Sequence, residues 1–562
     1  MLLDAIYTYY LAVSRWVLAF LALLFILQWI RCFLSLRHRT AVLAVLVTED
    51  GDRLPVTSYE SSIGRRGVSD IVLNLPNISR KHAVLTYVEG EGWRISDTGS
   101  SGGVAVNGKR IDSPTPLQTG DKITLNGYSL YLEAPRQEDV GLVKKPKRKK
   151  KPKKASFAAL SALLGCFQLI MCVQLMLRFR EDMPLFLPIS FLVLFFGQIL
   201  YYGVNSRQNG PPPLAEMPVF FLSTLGMAVC STLSSKEGAA GVSAVMFKQL
   251  GAAAAGFVAF LVLYKILQNT RLTMRLRYLA GGAALGLLAL NLVFGFSRYG
   301  AKNWIDIGPI SFQPSEFVKI AFIFAGAATL ERLLTTRNLL LFLGFSAACI
   351  GALGLMRDFG AAAIFFVTMM IIIVIRSGDW RVIAGITALA GAGAAGIVLI
   401  MPHVTKRFEA WGHVWQYAST SGYQQTRTLV AIGSGGLLGV GGGNGYLDTV
   451  SAASTDLVFG VVFEEWGGII ALSALACFVL LALYAWRLAR SAQSAYYAIA
   501  VCAAAGMFLF QTALNAFGAT DILPLTGVTM PFVSVGGSSV LASWIIIAFF
   551  KAAAKKQAAP LV

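Results

Sequence analysis

The chain has 562 residues, of which 56% are hydrophobic and 14% charged, with a mean hydropathy of +0.64. This composition excludes a string of soluble domains and points to a polytopic membrane protein. The formal net charge is +19, but much of it lies in one run, Lys144-Lys145-Pro146-Lys147-Arg148-Lys149-Lys150-Lys151-Pro152-Lys153-Lys154, directly ahead of an apolar segment. That position fits a cytoplasmic juxtamembrane anchor on anionic lipid and argues against nucleic acid as a partner.

Residues 5–30 form an apolar run too long for the core of a signal peptide and without a basic start, so a retained helix is expected. Arg31, Arg37, His38 and Arg39 follow it and place its carboxyl end in the cytoplasm. From 41 to 135 the pattern changes to short alternating runs separated by Gly, Asn and Asp turns. With Asn107-Gly108 and Asn126-Gly127 as hairpin signals, this predicts a small all-β sandwich.

Within that segment, Gly64-Arg65, Ser79-Arg80-Lys81-His82 and Val106-Asn107-Gly108 resemble the forkhead-associated (FHA) family over about residues 62–133. The resemblance implies that Arg65 and Ser79 hold a phosphothreonine on a partner protein, that Arg80 adds positive charge, and that Gly64, His82 and Asn107 are structural. Guanidinium and hydroxyl donors are what a phosphate requires. One departure stands out: the family's Thr-Asn-Gly turn, whose Asn holds the peptide backbone, reads Ser101-Gly102-Gly103.

After a polybasic linker at 136–155, apolar runs predict two additional helices within 156–216, at about 156–178 and 184–203. Ten more follow in 217–562, at 217–235, 249–267, 277–296, 314–332, 339–356, 360–376, 381–401, 457–487, 495–517 and 533–551. Twelve crossings from a cytoplasmic start return the carboxyl terminus to the cytoplasm. Basic residues in the inner loops agree, among them Arg271, Arg275, Arg277, Arg487 and Lys555. The stretches 297–312, 402–455 and 518–531 are then external, as is the Arg357-Asp358 turn, where charge between two apolar runs calls for a purpose.

Those external stretches carry a second resemblance. Asn303-Trp304-Ile305, Phe312-Gln313-Pro314-Ser315-Glu316-Phe317-Val318-Lys319, the Gly433–Gly441 region, Thr455-Asp456 with Glu464-Glu465-Trp466-Gly467, and the run from Pro524 to Ser539 occur in the order seen in the SEDS (shape, elongation, division and sporulation) family. The resemblance covers about residues 217–553 and implies a ten-helix core that polymerises lipid II on the outer membrane face, beside a class B penicillin-binding protein. It implies Asp358 as the catalytic carboxylate and Lys319 as a basic partner, with Glu316 three residues earlier on the same helix face; Arg357, next to Asp358, is a further candidate cation. Trp304, Gln313, Ser315, Asp456, Thr526, Ser534 and Ser538 would line the substrate cavity.

The chemistry is consistent, since an inverting sugar transfer from diphosphate needs one base and positive charge for the leaving group. A Mg2+ or Mn2+ ion at Asp358 is the alternative source of that charge. Four departures bear on the site: Met356-Arg357 stands where the family has Gln-Pro before its Asp, Ala361 where it has Thr after the Gly, Tyr446 near the position of a loop Lys, and Ser451-Ala452-Ala453-Ser454 where it has Pro-Glu-Ala-His before Thr-Asp. Glu464 and Glu465 read as structural, and the Gly-rich stretches as close-packing or re-entrant segments without a nucleotide. A flippase for a lipid-linked precursor and a catalytically weak cell-wall scaffold are the rival functions.

Overall fold

The computed structural model describes residues 2–36, 42–65, 69–88, 92–136, 138–139, 156–232, 238–298, 301–308, 310–331, 336–377, 384–388, 391, 393, 402–492 and 494–557. The polybasic run and most of the helix expected at 381–401 lie outside them. The chain divides into two compact units: one of Met1–Ser35, Lys154–Arg487 and Ile499–Lys555, the other of Leu36–Lys153, Leu488–Ala498 and Lys556–Val562.

The second unit is all-β where the sandwich is expected. Strands β1 (Ala44–Thr48), β2 (Arg53–Val56), β3 (Glu60–Gly64), β4 (Ile71–Val72), β5 (Ala83–Val88), β6 (Gly92–Asp97), β7 (Val104–Val106), β8 (Lys109–Arg110), β9 (Thr115–Leu117), β10 (Lys122–Leu125) and β11 (Tyr128–Glu133) form two sheets, ordered β2-β1-β11-β10-β7-β8 and β4-β3-β5-β6-β9. Alternating residues such as Leu46, Ile63, Leu85, Ile95, Val104, Ile123 and Leu130 are buried in one core. Both hairpin signals are realised: Asn107 and Gly108 have φ of 49° and 80°, Asn126 and Gly127 of 45° and 89°. Two successive left-handed residues give the turn twist that suits paired strands.

The first unit is helical. In chain order it contains α1 (Leu2–Ser35), α2 (Phe157–Arg178), α3 (Phe186–Arg207), α4 (Glu216–Ser231), α5 (Gly238–Leu267) and α6 (Thr270–Phe294). A small antiparallel sheet follows, β12 (Phe296–Arg298), β13 (Ala301–Ile307) and β14 (Ile310–Phe312). Then come α7 (Pro314–Leu330), α8 (Thr336–Leu355), α9 (Phe359–Ser377), α10 (Pro402–Ala410), α11 (Tyr423–Gly435), α12 (Val458–Trp466), α13 (Gly468–Ala489), α14 (Ala495–Ala519) and α15 (Gly537–Lys555). Among the described residues ten helices are long and apolar enough to cross a membrane, so this is a multi-pass membrane protein.

Three expectations change. The spans expected at 217–235 and 314–332 are shorter helices of 16 and 17 residues, and α4 is buried on every side, as an all-round apolar helix inside a bundle should be. The helix expected at 457–487 is two, broken at Gly467, whose φ is 88°. A Cβ there would fall 2.4 Å from the Leu437 carbonyl oxygen, so only glycine permits this approach. The stretch 297–312, expected as an external loop, contains the strands of the β12–β14 sheet.

The Gly-rich stretch behaves as a packing device. Gly439, Gly441 and Gly443 have positive φ, and a Cβ on Gly439 would meet the Glu465 carbonyl oxygen at 2.3 Å. Two carbonyls of this loop accept arginines from neighbouring helices, Gly439 O from Arg15 of α1 (3.0 Å) and Gly443 O from Arg178 of α2 (3.2 Å).

Candidate active site

The centre of the site is the α8–α9 turn. α8 closes with the Arg357 N–H donating to Gly354 O (3.0 Å) and the Asp358 N–H to Leu353 O (2.9 Å). These are the two bonds of a helix stop whose penultimate residue must be left-handed, and Arg357 has φ of 60°. A proline could satisfy neither the φ nor the N–H donation, which accounts for the departure from Gln-Pro at this position. Asp358 then caps α9, its Oδ1 accepting the Ala361 N–H at 3.0 Å.

The other carboxylate oxygen is held from the sheet and from the start of α7. Asn303 Nδ2 on β13 donates to Asp358 Oδ2 at 2.8 Å, and Gln313 Nε2 donates to it at 3.2 Å. Gln313 is the N-cap of α7, with Pro314 at the first helical position, and its backbone N–H donates to Ser538 Oγ at 3.2 Å. Three N–H donors thus occupy a carboxylate with roughly four lone-pair sites, which leaves about one for a reacting group.

Asp358 lines a cavity of about 1890 Å³. Its polar lining includes Asn303, Trp304, Gln313, Arg357, Arg407, Asp456, Thr526 and Ser538; Phe247, Ala252, Phe317, Ile350, Phe366 and Leu541 supply apolar wall. A largely apolar cleft with a few convergent polar groups is the general form of a small-molecule binding site. Arg357 is exposed and makes no ion pair among the described residues, so the adjacent Arg and Asp are not a pair. Asp456 is half-buried, and burial pushes its carboxyl above the usual carboxylate range against the opposing pull of Thr455 and Arg407.

The structure separates the expected residues. Asp358, Arg357, Trp304, Gln313, Asp456, Thr526 and Ser538 share the cavity, whereas Glu316, Lys319, Ser315 and Ser534 are buried behind its lining. Lys319 Nζ donates to Glu316 Oε1 at 2.7 Å and to Gln511 Oε1 at 3.0 Å, so the pair binds α7 to α14. Ser534 Oγ donates to Thr455 O and accepts the Met530 N–H. Physically, both ends of the i,i+3 pair find partners inside the bundle, and burial favours that over a free ammonium in a cleft.

Besides Arg357, two further cations line the cavity. Arg407 on α10 donates to Leu525 O at 3.1 Å, and Lys248 lies on α5. Lys248 could have been found from sequence as a lone charge in an apolar helix; the span expected to start at 249 hid it. Asn303 stood only as a motif member, because its bond to Asp358 depends on tertiary structure. Glu464 accepts the N–H groups of Tyr446 and Leu447, both at 3.0 Å, which is the structural role expected of it.

The metal expectation finds no cage. No group of three or more His, Cys, Asp or Glu side chains that could hold a metal ion occurs among the described residues. A cation shared between one carboxylate and the phosphates of a substrate needs no such group, and Asp358 is the residue that would hold it.

In the β unit, Gly64 permits close approach, since a Cβ there would lie 2.3 Å from Arg80 O. His82 is fully buried; its Nδ1 accepts the Ser79 N–H at 3.1 Å and its Nε2 donates to Gly103 O at 3.0 Å. Asn107 accepts the Lys122 N–H and donates to Asp121. Arg65 donates to Pro76 O at 3.0 Å, Ser79 Oγ lies 3.1 Å from Ser101 Oγ, and Arg80 is exposed. All three expected phosphate-binding residues therefore lie on or against the 76–80 loop.

Residues 214–558 match the model of the FtsW/RodA/SpoVE family, described as cell cycle protein, and residues 61–126 match that of the FHA domain. A peptidoglycan glycosyltransferase RodA of Mycobacterium tuberculosis is 28% identical over 313 residues, covering 52% of this chain and 66% of that protein. A probable peptidoglycan glycosyltransferase FtsW of Tolumonas auensis is 32% identical over 280 residues, covering 47% and 72%. A solved structure reported as the structural coordination of polymerization and crosslinking by a peptidoglycan synthase complex aligns at 25% identity with a TM-score of 0.52, covering 61% of this chain and 97% of that one. The chain spans just under two thirds of the length of the mycobacterial relatives it matches.

Proposed function

The chain belongs to the FtsW/RodA/SpoVE family and carries an FHA domain, and from that premise we propose that it is a peptidoglycan glycosyltransferase that polymerises lipid II at the outer face of the cytoplasmic membrane. The observation that carries this reading is the single cavity that joins an apolar wall to Asp358 and to the cations Arg357, Arg407 and Lys248. The wall suits the polyprenyl chain and the cations suit its diphosphate.

In the reaction the acceptor sugar's hydroxyl attacks the anomeric carbon of the donor. A C–O bond forms there, the bond to the diphosphate oxygen breaks, and its electron pair leaves on the diphosphate. The hydroxyl proton passes to the open lone pair of Asp358, the general base. Asn303, Gln313 and the Ala361 N–H fix the carboxylate's orientation. Arg357, which lines the cavity beside Asp358, stabilises charge on the departing phosphates.

The basic residues at the far helix ends support an outward-facing site and a cytoplasmic FHA domain and carboxyl terminus. On that side Arg65, Ser79 and Arg80 bind a phosphothreonine-containing protein and couple polymerisation to threonine phosphorylation. A class B penicillin-binding protein is the expected crosslinking partner. The test is purified protein in liposomes with fluorescent lipid II, with and without that partner: glycan ladders support the reading, while transbilayer movement of lipid without polymer supports a flippase.

A further inference from the structure

The loop 101–103 lacks a carboxamide, yet the space beside it is filled by one. A Cβ built on Gly102 would fall 2.2 Å from Asn126 Cγ and 2.6 Å from its Oδ1, so Asn126 occupies the volume a side chain at 102 would need. Asn126 comes from the β10–β11 turn, where its φ of 45° is one that Asn tolerates. Its Nδ2 donates to Asn77 O at 2.8 Å. Arg65 donates to the preceding carbonyl, Pro76 O, and Ser101 binds Ser79 through both its hydroxyl and its N–H. Arg65, Ser101 and Asn126 therefore converge on one loop, the one that carries Ser79 and Arg80. Asn126 is exposed, and its Oδ1 accepts no hydrogen bond among the described residues.

We propose that Asn126 supplies, from the opposite hairpin, the carboxamide that fixes the backbone of a bound phosphothreonine peptide, with Oδ1 accepting one peptide N–H. The inference rests on the phosphothreonine reading of Arg65, Ser79 and Arg80. An acceptor locked by its own Nδ2 bond reads a backbone N–H, so the ligand position it meets cannot be proline.

The experiment uses the full chain in detergent and a degenerate phosphothreonine peptide pool, then the tightest peptide from it. Asn126→Gly keeps the left-handed turn and removes the carboxamide; it is expected to weaken binding about tenfold, the worth of one well-placed hydrogen bond. Gly102 has no positive φ, so the double variant Asn126→Gly/Gly102→Asn can place a carboxamide from the other loop and is expected to recover binding. An N-methyl scan of the peptide should reveal one backbone position whose methylation weakens the wild type about tenfold and Asn126→Gly no further. Wild-type binding that Asn126→Gly retains overturns the inference alone. A wild type that binds no phosphopeptide removes the phosphothreonine reading and this inference with it.

Discussion

Position 357 imposes two backbone demands, a left-handed φ and a free N–H for Gly354, and Arg meets the second while tolerating the first. Arg357→Gly should therefore raise stability by about 1 kcal/mol while slowing polymerisation, because the cavity loses a cation. Arg357→Pro should lower stability by about 3 kcal/mol or more. Thermal melts and glycan yield on the same preparations check both. Asp456 makes a separate prediction. Its folded-state carboxyl is raised by burial, so its contribution to stability is complete below the ordinary carboxylate range and is lost as pH rises through the raised value. Asp456→Asn should flatten that part of the stability profile and leave acid stability unchanged.

At the scale of elements, glycines decide where helices end and how closely they pack. Gly467→Ala would force a Cβ into Leu437 O and Leu438 C at 2.4 Å in a left-handed backbone, and should cost at least about 2 kcal/mol. Gly433→Ala on α11 meets nothing within 4 Å and should stabilise by about 0.5–1 kcal/mol. The contrast marks what was legible in the sequence. Periodicity located nearly every apolar helix, and turn chemistry located the two Asn-Gly hairpins, because burial and turn chemistry act locally. The break at Gly467 was hidden because its cause is a backbone 30 residues away. The Glu316–Lys319 pair was legible as a pair but not as a buried one, since Gln511 lies far along the chain. Asp358 was legible as a charge in a short turn, whereas its holders Asn303 and Gln313 meet it only through the β12–β14 sheet.

For the membrane unit as a whole, polar bonds in a dry interior join the additional helices to the family core. Lys551 Nζ on α15 binds Glu216 at 3.0 Å, Tyr201 at 2.6 Å and Asn205 at 2.7 Å, linking α3, α4 and α15. Lys551→Met alone should cost about 3–5 kcal/mol by leaving Glu216 buried without its partner, and Lys551→Met with Glu216→Gln should cost much less; a double-mutant cycle on unfolding measures the difference. The central claim concerns the cavity and its base. The most direct measurement is lipid II polymerisation by purified Asp358→Asn, a variant that keeps the side chain's volume and a capping oxygen for α9. Glycan yield is expected to fall about 10²-fold or more in protein that remains folded, with melting temperature lowered only by the lost bonds from Asn303 and Gln313; polymerisation at the wild-type rate would contradict the account.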